Sequence, residues 1–233
     1  MISPFTAVWL YGSAARGDSD SESDVDILVV GDHCLEKNEL TAISNADSRK
    51  LSISHYTWHE LKGIASYGSL FLHHLRREAR CLVEGSAVIG EMRSILDSLG
   101  PYRRARMDLN AFETSVADVQ YSLTHDGSIP FELSILATTL RHASILGCYV
   151  SGKPCFARLE PIRQFVEEWH LDAATITCFE ELYRYRLWAV RHSGVPSEVS
   201  MQQVDRWCEL ISDLLGELGI QIDVYERSVH QAH

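Results

Sequence analysis

Two rhythms of apolar and polar positions divide this chain. In its first third, short apolar runs alternate with glycine-bounded turns: "TAVWLYG" ends at Gly12 and "DVDILVVG" at Gly31. Runs rich in Val, Ile, Leu and Trp between glycines predict two β-strands. "LEKNELTAISNADSRK" (35–50) has the composition of a helix, and "KLSISHYT" alternates as a third strand does. "WHELKGIASYGSLFLHHLRREARCLVEG" predicts a helix, a turn near Gly68 and a second helix. After Gly85 the period changes. Leu109, Phe112, Val116, Val119 and Leu123 recur at spacings of three and four, as do Leu133, Leu136, Leu140 and Ala143, and Val204, Trp207, Ile211 and Leu215. This is the apolar stripe of amphipathic helices. "LGP" (99–101), "HDGSIP" (125–130), "SGKP" (151–154) and "SGVP" (193–196) punctuate it. The pattern predicts a mixed α/β (α+β) unit over 1–86 and an all-α bundle of five or six helices over 87–233.

Composition narrows the function classes. No run approaches the roughly 18 apolar residues of a membrane span, and the first residues lack the basic start and apolar core of a signal peptide. The six cysteines form no Cys-x-x-Cys pair; they read as reduced thiols of a cytoplasmic protein rather than a disulfide framework or structural zinc site. A net charge of −11 opposes general nucleic-acid binding, which needs a basic surface. Residues 76–106 depart from this, with seven arginines against four acids. An acceptor bearing phosphates can dock there, although "LHHLRREAR" and "PYRRARM" read more simply as solvated helix faces.

The chemistry concentrates in "YGSAARGDSDSESDVDILVV", Tyr11 to Val30, where five acids fall within nine positions. A P-loop fits Gly12, Gly17 and Ser19 but fails at Asp18, where the lysine that reaches the phosphates must stand. A calcium loop fits Asp18, Asp20 and Glu22 but fails at Ser23, where the sharp-turn glycine belongs, and at Val29, where the closing glutamate belongs. A third reading holds. A strand delivers the chain to Gly12 and Ser13, where a helix start exposes backbone N–H groups and a hydroxyl suited to terminal phosphates of a nucleotide. Asp24 and Asp26, two apart on a strand, project from one face. Two such carboxylates repel unless a cation sits between them, and Mg²⁺ takes hard oxygen ligands and bridges carboxylates to substrate phosphates. The plain alternative is a solvated acidic loop leading into a core strand.

"GSAARGDSDSESDVDILVV" resembles the signature of the DNA polymerase β-like nucleotidyltransferase superfamily: Gly-Ser, a spacer, then Asp-hydrophobic-Asp. Its Gly-Ser-x-x-Arg-Gly form is similar to the minimal and aminoglycoside nucleotidyltransferases. The resemblance is strong over about twenty residues and extends by element order over 1–86. It implies that Gly12 and Ser13 contact the β- and γ-phosphates of an NTP, ATP being the expected one, that Arg16 assists them, and that Asp24 and Asp26 hold Mg²⁺. It implies transfer of a nucleoside monophosphate, AMP, to an acceptor hydroxyl on a small molecule, a protein or an RNA end. The family pattern has a third carboxylate on a later strand, which serves or positions the base. Here that strand is "LSISHYT", with Ser52 and Ser54, and serine replaces a carboxylate neither as anionic ligand nor as base. Asp47, Glu60 or His55 are the possible substitutes.

Two rivals stay open. One is a catalytically degenerate nucleotide-binding module, regulatory or antitoxin-like, supported by the serine substitution. The other is a HEPN-like ribonuclease tail, since helical tails of these enzymes either bind the acceptor or resemble HEPN domains with an Arg-x(4–6)-His motif. Arg186 and His192 have that spacing, but chance supplies it about twice in a chain this rich in both residues, and Leu187 stands where a polar residue is usual. The plainer reading has Arg184, Arg186 and Arg191 pairing with local glutamates. His55 with His59, and His73 with His74, lack the carboxylate that would complete a transition-metal site.

Overall fold

The computed structural model describes residues 6–19, 23–33, 35–44, 49–83, 88–191 and 198–231. These fall into two compact units, 1–103 and 104–233.

In the first unit, β1 (Ala7–Tyr11) runs directly into the one-turn helix α1 (Gly12–Arg16), and β2 (Val25–Val30) follows. α2 (Lys37–Ser44) leads to β3 (Leu51–Tyr56), then come α3 (Trp58–Ala65), α4 (Leu70–Glu78), the two-residue β4 (Arg80–Cys81) and α5 (Ile89–Asp97). The sheet order is β3-β2-β1-β4. β1 is antiparallel to both β2 and β4, whereas β2 and β3 are parallel, joined by the α2 crossover. Partnered residues share a face of the sheet. On one face Ala7, Trp9, Tyr11, Leu28 and Val30 pack with Leu61, Leu72, Leu75, Met92 and Leu96 from α3, α4 and α5. On the other, Val8, Val25, Ile27 and Val29 pack with Leu40 of α2. β2 is therefore buried on both sides, which explains its almost unbroken apolar run.

Differences from the sequence pattern have local causes. The second helix after Gly68 stops at Glu78, because Arg80 and Cys81 pair with β1. α5, placed by periodicity with the tail, packs against α3 and α4 of the head. "LHHLRREAR" is solvated on one side only: Arg76 and Arg77 are exposed, while Leu72, His73 and Leu75 are buried.

The second unit contains α6 (Ala105–Leu123), α7 (Ile129–Val150), α8 (Glu160–Glu168), α9 (Ala174–Arg191) and α10 (Met201–Gln231). α7 is the central member and packs against α6, α8, α9 and α10. Leu133, Leu136, Leu140 and Ala143 are all fully buried. Gly147 lets α8 approach: a Cβ there would lie 2.0 Å from the Phe165 ring. The break between α8 and α9, at 169–173, carries no glycine or proline and escaped the pattern; His170 sits there at φ +52°. α7 is also the one described helix long and apolar enough to cross a membrane, and 61% of its apolar window is buried inside the protein. The five described cysteines are free thiols. Burial pushes Cys148 up to about 12 and Cys208 up to about 11. The break at 193–196, Cys34, Asp47 and His192 lie outside the described residues.

Candidate active site

The site begins where β1 stops. Tyr11 is extended (φ −142°, ψ −176°) at the N-cap position of α1, and Gly12 turns the chain at φ +72°. Only glycine enters that region without strain. It is also the only residue with room, since a Cβ on Gly12 would meet Asp26 Oδ2 at 2.4 Å. Gly17 closes the turn in the left-handed region, its N–H donating to Ser13 O at 2.9 Å.

The antiparallel register sets Tyr11 opposite Asp26, and the parallel register sets Asp26 beside Ser52. Tyr11, Asp26 and Ser52 thus form one row across three strands on the face shared with α3 and α4. Asp24 precedes β2 by one residue. Both carboxylates are half-buried. Gly12 and Asp26 are in direct apposition, and Ser13 follows in the same turn. Ser54, one row further, shares a 2.9 Å hydrogen bond with Tyr11 Oη. Burial raises the Tyr11 phenol above its usual range; the Ser54 hydrogen bond opposes this and the Asp26 charge adds to it.

Arg16 is engaged with protein carboxylates. Its Nη1 donates to Glu78 Oε1 at 2.8 Å and Oε2 at 3.0 Å, and its Nε to Asp18 Oδ2 at 3.1 Å. Glu78 also accepts from His74 Nε2. Burial alone would raise the Glu78 pKa, but the hydrogen bonds and charges of His74 and Arg16 outweigh it and hold the carboxyl below its usual range. Sequence reasoning missed Tyr11, His74 and Glu78. The one available signal was the i, i+4 spacing of His74 and Glu78 on a helix.

Two of the substitutes for the third carboxylate, Glu60 and His55, are occupied elsewhere. Glu60 closes the α3 N-terminus: its carboxylate accepts from Thr57 N at 2.8 Å, and Thr57 Oγ1 accepts from Glu60 N at 3.2 Å. This is a capping box, and the Thr57 backbone hydrogen bond chiefly lowers the Glu60 pKa. His55 is in register with Val29, on the sheet face opposite Asp26, and its Nε2 bonds Gly31 O at 2.9 Å. In the helical unit, Arg186 Nη1 donates to Thr138 Oγ1 rather than to a neighbouring glutamate. Among the described residues no three His, Cys, Asp or Glu side chains cluster as a metal site.

A strand, a Gly-Ser turn at a helix start and an adjacent strand that carries Asp26, with Asp24 just before it, define the class by arrangement: a tight glycine turn set against a carboxylate. Residues 3–62 match the family model of the nucleotidyltransferase domain, so this segment is a nucleotidyltransferase domain of the polymerase β-like superfamily. The match spans Gly12, Ser13, Arg16, Asp24, Asp26 and Ser52 and ends in α3; Glu78 lies beyond it. No curated protein matches the chain. The domain is one of nucleotidyl transfer, with a nucleotide as substrate. Such domains usually use divalent metals, and the donor chemistry here fits one: two half-buried carboxylates two positions apart where β2 begins, one of them against a glycine that offers no side chain.

Proposed function

We propose that the protein transfers AMP from Mg²⁺-bound ATP to an acceptor hydroxyl, releasing pyrophosphate, in the cytoplasm. The observation that carries this reading is the apposition of Gly12 and the Asp26 carboxylate, with Ser13 in the same turn and Asp24 two positions before Asp26. Gly12 and Ser13 bind the β- and γ-phosphates through backbone N–H groups and the Ser13 hydroxyl, and Arg16, ion-paired with Glu78 and Asp18, assists them as a hydrogen-bond donor. Asp24 and Asp26 hold Mg²⁺. When bound, Mg²⁺ supplies charge neutralisation on the phosphates, which is the main requirement of this chemistry. The sheet keeps the Asp26 carboxylate in place before the nucleotide arrives. Ser52, beside Asp26, takes no proton near neutral pH, so the acceptor hydroxyl loses its proton without a strong base. Absence of a general base costs about 10²- to 10⁴-fold in rate while leaving binding intact.

Calorimetry with ATP, with and without Mg²⁺, on wild type and Asp24→Asn/Asp26→Asn tests this reading. Wild type is expected to bind only with Mg²⁺ and the double variant not to bind. Equal binding in all four cases refutes the assignment. Ser52 also favours a second reading, a nucleotide-binding regulatory module without turnover; α-labelled ATP that labels no small-molecule, protein or RNA acceptor would select it.

A further inference from the structure

The short helix α1 is gripped at both ends by α4. At its start, the Tyr11 ring, one residue before Gly12, meets the His74 ring edge-on with centroids 5.7 Å apart at 87°. At its end, Arg16 is bound through Nη1 to both oxygens of Glu78. Glu78 is in turn tied to His74, so one carboxylate joins the two grips. The side chains are mostly enclosed, with Glu78 10%, His74 15% and Arg16 23% exposed. An arginine otherwise has many rotamers, and ordering it on a ligand costs affinity; ordering it beforehand removes that cost. With Nη1 on Glu78 and Nε on Asp18, two edges of the planar guanidinium are fixed, and Nη2 donates to none of the described residues.

We infer that Glu78 is a positioning residue of the nucleotide site, holding Arg16 with Nη2 directed to the triphosphate while His74 holds Glu78. This rests on the reading of Arg16 as a phosphate-binding residue. It predicts that Glu78 acts on affinity through Arg16 alone.

The test is the affinity for Mg²⁺-ATP of wild type, Arg16→Ala, Glu78→Gln and the double variant, with thermal melts as the folding control. Glu78→Gln keeps shape and removes charge, and is expected to weaken binding about tenfold, the effect of a charge-assisted hydrogen bond. The double variant is expected to bind no more weakly than Arg16→Ala, since residues that act through one contact are not additive. Losses that add, as a general structural role would give, overturn the inference. So does unchanged affinity in either single variant, while Mg²⁺-dependent binding by wild type leaves the nucleotide reading standing. Glu78→Asp keeps the charge at shorter reach and should lose less than Glu78→Gln; the reverse order also overturns the inference. Wild type that binds no Mg²⁺-ATP overturns both readings.

Discussion

At the residue scale, the proposed function makes Ser52 the position on which the rate depends. It is the β3 register partner of Asp26 and shares its face, whereas Ser54 is one row away and bonded to Tyr11. Ser52→Asp therefore sets a second carboxylate beside Asp26 in the row. We expect it to raise Mg²⁺-dependent transfer of label from α-labelled ATP by about 10²-fold, the lower end of what a general base contributes. Ser54→Asp should give no gain, because it sets a charge against the buried Tyr11 hydroxyl. Equal rates for Ser52→Asp and wild type would show that the base comes from elsewhere, the acceptor included.

At the scale of elements, α4 is docked through a neutral histidine. His73 Nε2 donates to Gly100 O at 3.1 Å and its Nδ1 accepts from Arg76 Nη2 at 3.0 Å, so both ring nitrogens are committed to the uncharged form. Burial first and the Arg76 charge second lower its pKa from 6.5 to about 4, against the opposing Gly100 hydrogen bond. Between those values the unfolded chain binds a proton that the folded chain does not, so stability falls as pH drops from 6.5 and this loss is complete below about 4. His73→Gln keeps a donor for Gly100 and removes the titration. Its melting temperature should fall less steeply than that of wild type over this window; parallel curves would show that His73 does not carry the effect.

At the scale of the whole molecule, the division between units sets what folds alone. Val88, Met92, Leu96 and Leu99 belong to the core of the head, and burying side chains of this kind contributes about 1.5–3 kcal/mol each. A chain ending at residue 103 is expected to melt cooperatively, and one ending at residue 86, which lacks all four, to lose cooperative melting. Circular dichroism of the two fragments checks this, and equal melting would place α5 outside the folding unit.

What the amino-acid sequence determined by itself was local. The strand, Gly-Ser turn and second strand around Gly12 were legible because apolar runs between glycines report short-range preferences. The tail helices followed from their stripe, while a common side for Asp24 and Asp26 is an expectation from the two-residue period of a strand. Even there the α8–α9 break was invisible, because no glycine or proline marks it. Tertiary structure alone decided which distant residues meet. Strand register put Asp26 against Gly12 and Ser52 beside it. Docking of α4 brought Glu78 to Arg16 across 62 positions and turned one side of "LHHLRREAR" inward. Glu60 went to a helix cap and His55 to the far face. Periodicity states which side of an element is apolar, but not which element covers it; that choice is made by shape and by the pairing of backbone and buried polar groups once the chain has closed on itself.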